Sequence, residues 1–384
     1  MMIIVNYCKI CVYPDTKPGL EFDENGICAA CNNNKLKFSI DWEERKSQFL
    51  KLLKKYRSKN DSDYDCIIPV SGGRDSHFQT YVILKEYGMN PLLVNFHPQD
   101  ITEIGKKNLE NIKKMGADCI EFTPNPIIYK KLAKFGLIEL GDFQWPEHIG
   151  IFTTPYQIAV AYNIPLIVWG ESPSEVGSGP KDDEIYFLDR DYEEKYCAFF
   201  LDKIKPENMT EHGFNRRDLH PYIFPPKEEI EKVGIVGIFL GHYIKWDVFK
   251  QLEIVKKLGF QEDDQIKEGT YDSWENLDVM YTALHDYFKF LKFGFGRTTD
   301  HVGMEIRYGL MTRQEGLDKV KKYEGKIPTR YLDEFLKDAE ITKEEFIQIC
   351  EKFTNKELFK TDSNGNLIRD SEGNIERLYY DNSN

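Results

Sequence analysis

Residues 66–76 read Cys66-Ile67-Ile68-Pro69-Val70-Ser71-Gly72-Gly73-Arg74-Asp75-Ser76. A short apolar run ends in Ser-Gly-Gly and opens a stretch, residues 75–87, that reads as a helix with Gly88 placed to end it. Two glycines let a backbone approach an anion closely, and a helix start points free N–H groups at it. Ser71 and Ser76 add hydroxyl donors. Asp75 is out of place beside a phosphate unless it holds a divalent metal that itself binds the phosphate. The G-x4-G-K-[ST] spacing of a Walker A loop is absent. An ordinary strand-to-helix turn is the plain alternative.

Outward from this loop the pattern repeats. Pro91 to Phe96 reads as a second strand, 102–115 as a helix closed by Gly116, and Asp118 to Phe122 as a third strand. A helix at 152–163 precedes a fourth strand, Pro165 to Trp169, which ends in Gly170-Glu171. Val233 to Leu240 reads as a fifth. Buried apolar strands alternating with helices predict an α/β fold, a doubly wound parallel sheet covered on both faces. Ligands of such sheets bind at the carboxyl ends of the strands. Glu171 at one such end is a candidate metal ligand or nucleotide-positioning group, with a solvated turn carboxylate as the alternative.

Before the sheet, 40–56 reads as an amphipathic helix capped by Asp41, with Phe49, Leu50, Leu53 and Tyr56 on one face. After it, 172–230 is rich in Pro, Gly and charge and too long for a plain connection, which predicts an active-site lid or an inserted substrate segment. Helices are expected near 246–258, 275–292, 312–322 and 342–353. The expected division is a zinc-ribbon-like module of four cysteines at 1–36, the α/β domain at 37–250 and a mainly helical region with a polar tail at 251–384. The tail repeats Asp362-Ser-Asn-Gly-Asn and Asp370-Ser-Glu-Gly-Asn. Two hairpin turns explain this better than calcium, because Gly373 stands where a calcium loop needs its twelfth-position carboxylate.

The 384 residues carry 51 Lys and Arg against 64 Asp and Glu, a net charge of −13. This balance argues against a broad nucleic-acid surface, which needs clustered cations to replace phosphate counterions. No stretch reaches the ~18 apolar residues of a membrane span, and the start has no basic n-region of a secretion signal. The expectation is a cytoplasmic protein whose paired cysteines bind metal. Four of the eight cysteines form Cys8-x2-Cys11 and Cys28-x2-Cys31. Two such turns close a tetrahedral shell of four sulfurs that suits structural Zn2+, with an iron–sulfur cluster as the rival. A third feature is polar and aromatic: Gly241-His242-Tyr243-x-Lys245-Trp246-Asp247 and Lys292-Phe-Gly-Phe-Gly-Arg297-Thr-Thr-Asp300-His301. Rings with charged tips beside glycines suit a sugar nucleotide. His242, Tyr243, Lys292, Arg297 and Asp300 are therefore candidate substrate contacts, against the plainer reading of structural residues.

The Ser71–Ser76 loop resembles the SGGxDS signature of the ATP pyrophosphatases, or PP-loop enzymes of HUP-like fold, which cleave ATP between the α and β phosphates. Nearly the whole chain resembles the N-acetyl sugar amidotransferase family, whose members form acetamidino groups on surface-polysaccharide sugars and on pseudaminic- or legionaminic-type nonulosonic acids. That resemblance rests on the cysteine pairs, the loop, Thr154-Pro-Tyr-Gln-Ile-Ala159, Gly170-Glu171, the 292–300 run, Glu305-Ile-Arg307 and Met311-Thr-Arg313. It implies transfer of AMP from ATP onto the acetamido oxygen, release of pyrophosphate, and attack of ammonia on the adenylated imidate. It implies that Pro69, Val70, Ser71, Gly72, Gly73, Asp75, Ser76, Asn95, Phe96, Gly170 and Glu171 bind ATP, with Asp75 holding Mg2+. Arg74 and Lys181 are then catalytic partners of Asp75 and Glu171 that neutralise phosphate. No cysteine sits in a glutaminase setting, so a separate glutaminase, with or without a channel subunit, is the expected ammonia source. The rival readings are a tRNA-thiolating PP-loop enzyme and a zinc-ribbon interaction protein with an inactive nucleotide site.

Overall fold

The structure, a computed structural model, describes residues 5–59, 62–97, 100–171, 175, 177, 188, 204–265 and 268–378. Five strands, β1 (Cys66–Pro69), β2 (Pro91–Phe96), β3 (Asp118–Phe122), β4 (Leu166–Trp169) and β5 (Val236–Phe239), form one sheet in the order β3-β2-β1-β4-β5. Every pairing is parallel. The order reverses between β1 and β4, so the crevice of a doubly wound sheet opens at the carboxyl ends of these two strands.

The central strands are mostly apolar because both faces are covered, whereas the edge strand β3 carries the exposed Asp118 and Glu121. Cys66, Ile68, Leu93, Leu166 and Val168 pack with Phe49, Phe78, Val82 and Val255 on one face. Ile67, Leu92, Val94 and Ile167 pack with Tyr156, Ala159 and Phe224 on the other. Asp41 caps the helix Trp42–Tyr56 as expected, accepting from Glu43 and Glu44 N–H. Phe49 and Leu53 of that helix are buried, whereas Leu50 is half exposed. A stripe through 49, 53 and 56 leaves position 50 at its edge.

The helix expected at 152–163 is longer, Trp145–Tyr162, with Pro155 inside it. Residues 204–230, part of the stretch expected as an active-site lid or an inserted substrate segment, pack onto this helix. Thr153 donates to the Pro221 carbonyl, Gln157 donates to those of His220 and Ile223, and Met209, Leu219 and Tyr222 are buried.

The carboxyl-terminal region is helical, as expected. Its core gathers Leu284, Phe288 and Leu291 of the helix Thr282–Phe293 with Phe335, Phe346, Leu358 and Phe359. The expected helix at 275–292 is shorter at its start because Asp272 takes the N–H groups of Trp274 and Glu275 into a turn. In the tail, Asp362 and Asp370 each accept from backbone N–H groups two and four residues on, the hairpin turns expected of the repeat. Among the described residues no helix is long and apolar enough to cross a membrane.

Candidate active site and cysteine cluster

The loop after β1 sits at the switch point. Gly72 has φ +103°, and a Cβ there would lie 3.0 Å from the Gly105 carbonyl oxygen. Glycine is therefore required both by the backbone angle and by the close approach of the helix Glu103–Lys113. Ser71 N–H donates to Ser76 Oγ at 2.9 Å, and Gly73 N–H to Ser71 Oγ at 3.3 Å. Each hydroxyl accepts here, so its proton can turn toward an anion. Gly73 N-caps the helix Arg74–Tyr81. His77 faces the Gly73 carbonyl through Nδ1 at 3.0 Å, and its Nε2 faces Asn111 Nδ2 at 3.2 Å. Burial lowers His77 to about 4, so the neutral ring braces the loop, with Nδ1 donating and Nε2 accepting.

Arg74 is buried, with its guanidinium 5.0 Å from the Trp274 ring centre. Its Nη2 lies 2.8 Å from Asp75 Oδ1 and 3.7 Å from Glu275 Oε1. Its Nε and Nη1 are buried with no hydrogen bond among the described residues. Unpaired charged donors of this kind are costly, and a phosphate beside the loop would satisfy them. Burial raises Asp75, offset in part by Arg74. Burial, followed by the charges of Asp75 and Glu175, raises Glu171 to about 8. Both carboxylates are held above their usual range first by burial and then by a neighbouring carboxylate, a state that a divalent cation would relieve, so their chemistry would suit Mg2+.

Glu275 ties this loop to the carboxyl-terminal region. Its other oxygen lies 2.6 Å from His301 Nε2, and Asp272 lies 2.7 Å from His301 Nδ1. Burial alone would lower His301, but Glu275 and Asp272 outweigh it and raise the imidazole to about 9. Burial likewise raises Glu275, and His301, Arg74 and Arg297 together leave it below its ordinary value. A charged relay Asp272–His301–Glu275–Arg74–Asp75 results. Glu275 and Asp272 were missed in the sequence because nothing local in 268–276 points to residue 74.

Glu275 also lines a cleft of about 630 Å³ with Asp286, Arg297, Asn276, Thr102 and Gln261. Among the described residues its walls carry eight carboxylates (Glu103, Glu262, Asp263, Asp264, Glu268, Asp272, Glu275, Asp286) and three cations (Lys107, Arg297, Arg330). Arg297 donates to both oxygens of Asp286, at 2.9 and 3.0 Å. Asp300 lies behind it between Lys17 at 3.0 Å and Lys289 at 2.7 Å. Lys292 donates to the Leu140 carbonyl. His242 and Tyr243 make a different set of contacts: His242 faces Arg45, and Tyr243 stacks on Phe49 at 5.0 Å.

Asn95 is buried and donates to the Val70 carbonyl at 2.7 Å, which fixes the end of β1. Phe96 is buried against Phe122, and a Cβ on Gly150 would strike its ring. Any adenine contact here would therefore have to come from the strand's backbone. Pro69 ends β1, and Val70 N–H joins it to β2 by donating to the Val94 carbonyl at 2.9 Å. A Cβ on Gly170 would lie within 3.2 Å of Gln79 and Trp246, so no side chain fits beside Glu171. Lys181 lies outside the described residues.

Cys8, Cys11, Cys28 and Cys31 are buried with their sulfurs within 4.8 Å of one another. Cys8–Cys31 and Cys11–Cys28 are 3.8 and 3.6 Å apart. Four sulfurs about 2.3 Å from a tetrahedral ion stand about 3.8 Å apart, so the set fits zinc. Backbone N–H groups of Ile10, Tyr13 and Cys28 point at the sulfurs, and Arg313 binds the carbonyls of Cys8 and Cys11.

Fold and site together define a doubly wound α/β protein with a Ser-Gly-Gly loop at its switch point and a helical region that meets this loop through Glu275 and Arg74. Residues 268–371 match the family described as LPS biosynthesis protein WbpG-like, C-terminal domain. The protein MJ1599 of Methanocaldococcus jannaschii is 28% identical over 108 residues, 28% of this chain and 38% of that protein, so the chain spans under two fifths of that relative's length. A solved structure titled a predicted subunit of tRNA methyltransferase, also from Methanocaldococcus jannaschii, covers 47% of this chain and 93% of its own at 19% identity. Its TM-score is 0.23, too slight a likeness to argue from.

Proposed function

We propose that the chain is an ATP-dependent amidotransferase that converts an acetamido group of a saccharide into an acetamidino group. The observation that carries this reading is the contact of Glu275, inside the region similar to WbpG-like proteins of lipopolysaccharide biosynthesis, with Arg74 of the anion loop. A sugar-modifying region and a phosphate loop then work on one site.

An acetamido oxygen leaves poorly. AMP transfer onto it gives an imidate, and pyrophosphate departs toward Ser71, Gly72, Gly73 and Ser76. Arg74 supplies the N–H groups of its unpaired Nε and Nη1 to that departing charge, and Glu275 with His301 holds the guanidinium in place. Stabilisation of developing charge is usually the largest catalytic contribution. Asp75 and Glu171 would hold Mg2+, which supplies further neutralisation of the phosphates. Ammonia attacks the imidate carbon, and AMP leaves with the original acetamido oxygen. The acidic lining of the cleft favours the uncharged saccharide ring there over the diphosphate of a sugar nucleotide.

Ammonia comes from a separate glutaminase in this reading. Cys66 is buried inside β1, burial pushes Cys119 up to about 11 and Cys350 up to about 12, and none is a thiolate near neutral pH. Cys197 lies outside the described residues. The test is to incubate the full chain with ATP, Mg2+, ammonia and candidate acetamido sugars. The product should be lighter than the substrate by about one mass unit, as NH replaces O, with AMP and pyrophosphate in equal amounts. Release of pyrophosphate with RNA and not with any saccharide would overturn the reading.

A further inference from the structure

A second cluster lies away from the ATP loop. Asp142, His148 and His285 each offer one ligand atom, and these atoms lie within 4.8 Å of one another. His285 Nδ1 is 3.3 Å and His148 Nδ1 3.7 Å from the Asp142 carboxylate, and all three side chains are at most 19% exposed. The two imidazole rings are 5.0 Å apart.

These spacings differ from those of a hydrogen-bonded imidazole in the same molecule. His301 meets its two carboxylates at 2.7 and 2.6 Å, the range of a charge-assisted bond. Ligand atoms held about 2.0–2.2 Å from a tetrahedral ion are instead about 3.3–3.6 Å apart. In the Asp142 set the 3.3 Å spacing falls in that range and the 3.7 Å spacing lies just beyond it, and both are longer than the His301 contacts.

The backbone builds it deliberately. Gly136 approaches so closely that a Cβ there would lie 2.3 Å from the Asp142 carbonyl oxygen, which locks the turn bearing Asp142. Gln144 N–H donates to Asp142 Oδ1 at 3.0 Å and orients the carboxylate. Ligating carboxylates are themselves hydrogen-bonded in such sites, and Gln144 N–H is that outer partner here. His148 follows in the first turn of Trp145–Tyr162, and His285 comes from Thr282–Phe293 across the interface.

We propose that Asp142, His148 and His285 bind a divalent transition-metal ion of the Zn2+ class, distinct from the cysteine site. Two imidazoles and one carboxylate suit Zn2+ or Fe2+ rather than Mg2+ or Ca2+, which prefer all-oxygen shells. Three protein ligands leave a coordination position for water or a substrate group. The ion joins the α/β body to the helix whose next residue, Asp286, holds Arg297 in the cleft.

The full chain is equilibrated with Zn2+, passed into metal-free buffer and counted by mass spectrometry of its metal content. Two zinc ions per chain are expected, falling to one in His148→Gln and His285→Gln. One ion in the unaltered chain, or two in both variants, overturns the proposal. A second readout needs no variant. Diethylpyrocarbonate should modify His148 and His285 after chelation and spare both when Zn2+ is restored. Equal modification in both states overturns the proposal.

Discussion

Replacing His301 by glutamine removes a cation held between Asp272 and Glu275 at 2.7 and 2.6 Å. The imidazole is 3% exposed, so solvent screens it little. Its value rises from 6.5 to about 9 in the folded chain. That difference of about 2.5, at 1.36 kcal/mol each, corresponds to about 3 kcal/mol. The folded value lies above the unfolded one, so this contribution is fully present below about pH 6.5 and is lost as pH rises through about 9. Denaturant unfolding of the wild type and His301→Gln at pH values from about 6 to 10 reads it directly. The wild type's advantage over the variant should shrink by about 3 kcal/mol across that range. The variant should also lose ATP turnover, because Glu275 no longer holds Arg74 in place. An advantage that stays constant with pH would refute the charged relay.

Gly72→Ala should lower stability by about 1–2 kcal/mol through the positive φ alone, with a further loss from the Gly105 carbonyl, read by thermal unfolding. Asp75→Asn should abolish pyrophosphate release and also lower the melting temperature, because buried Arg74 is left with only Glu275 at 3.7 Å to balance its charge. Glu171 ionises only as pH rises through about 8, so Mg2+ affinity measured by calorimetry should climb between about pH 7 and 9. Glu171→Gln should flatten that climb. Arg297→Lys keeps the charge but loses the two-bond contact with Asp286, which should cost about 1–3 kcal/mol of stability and raise KM for the saccharide more than for ATP.

The sheet was legible because its signals are local. β1 with its Ser-Gly-Gly turn, β2 and β4 each carry their apolar run and their stop within ten residues. The cysteine pairs were legible for the same reason, since a C-x2-C turn brings two sulfurs together without help from the rest of the chain. The contacts that complete the site were not legible. Glu275 reaches Arg74 across 200 residues, and only the turn set by Asp272 aims it there. His301 stands at the end of a run that was noticed for its rings and charges, yet its partners lie a full loop away. Asn95 and Phe96 show the opposite effect. They stand where a strand end invites a ligand, but the sheet takes both side chains for its own bracing and packing. Asp142, His148 and His285 have no common motif at all, because one of the three comes from a helix more than 130 residues downstream.

The central claim is that AMP is placed on the acetamido oxygen in the crevice shared by the loop and the carboxyl-terminal region. A substrate with 18O in its acetamido carbonyl tests it most directly. With ATP, Mg2+ and ammonia, the account predicts that the label leaves in AMP and that the sugar product contains none of it. Unlabelled AMP, or label retained in the sugar while pyrophosphate is released, would contradict it.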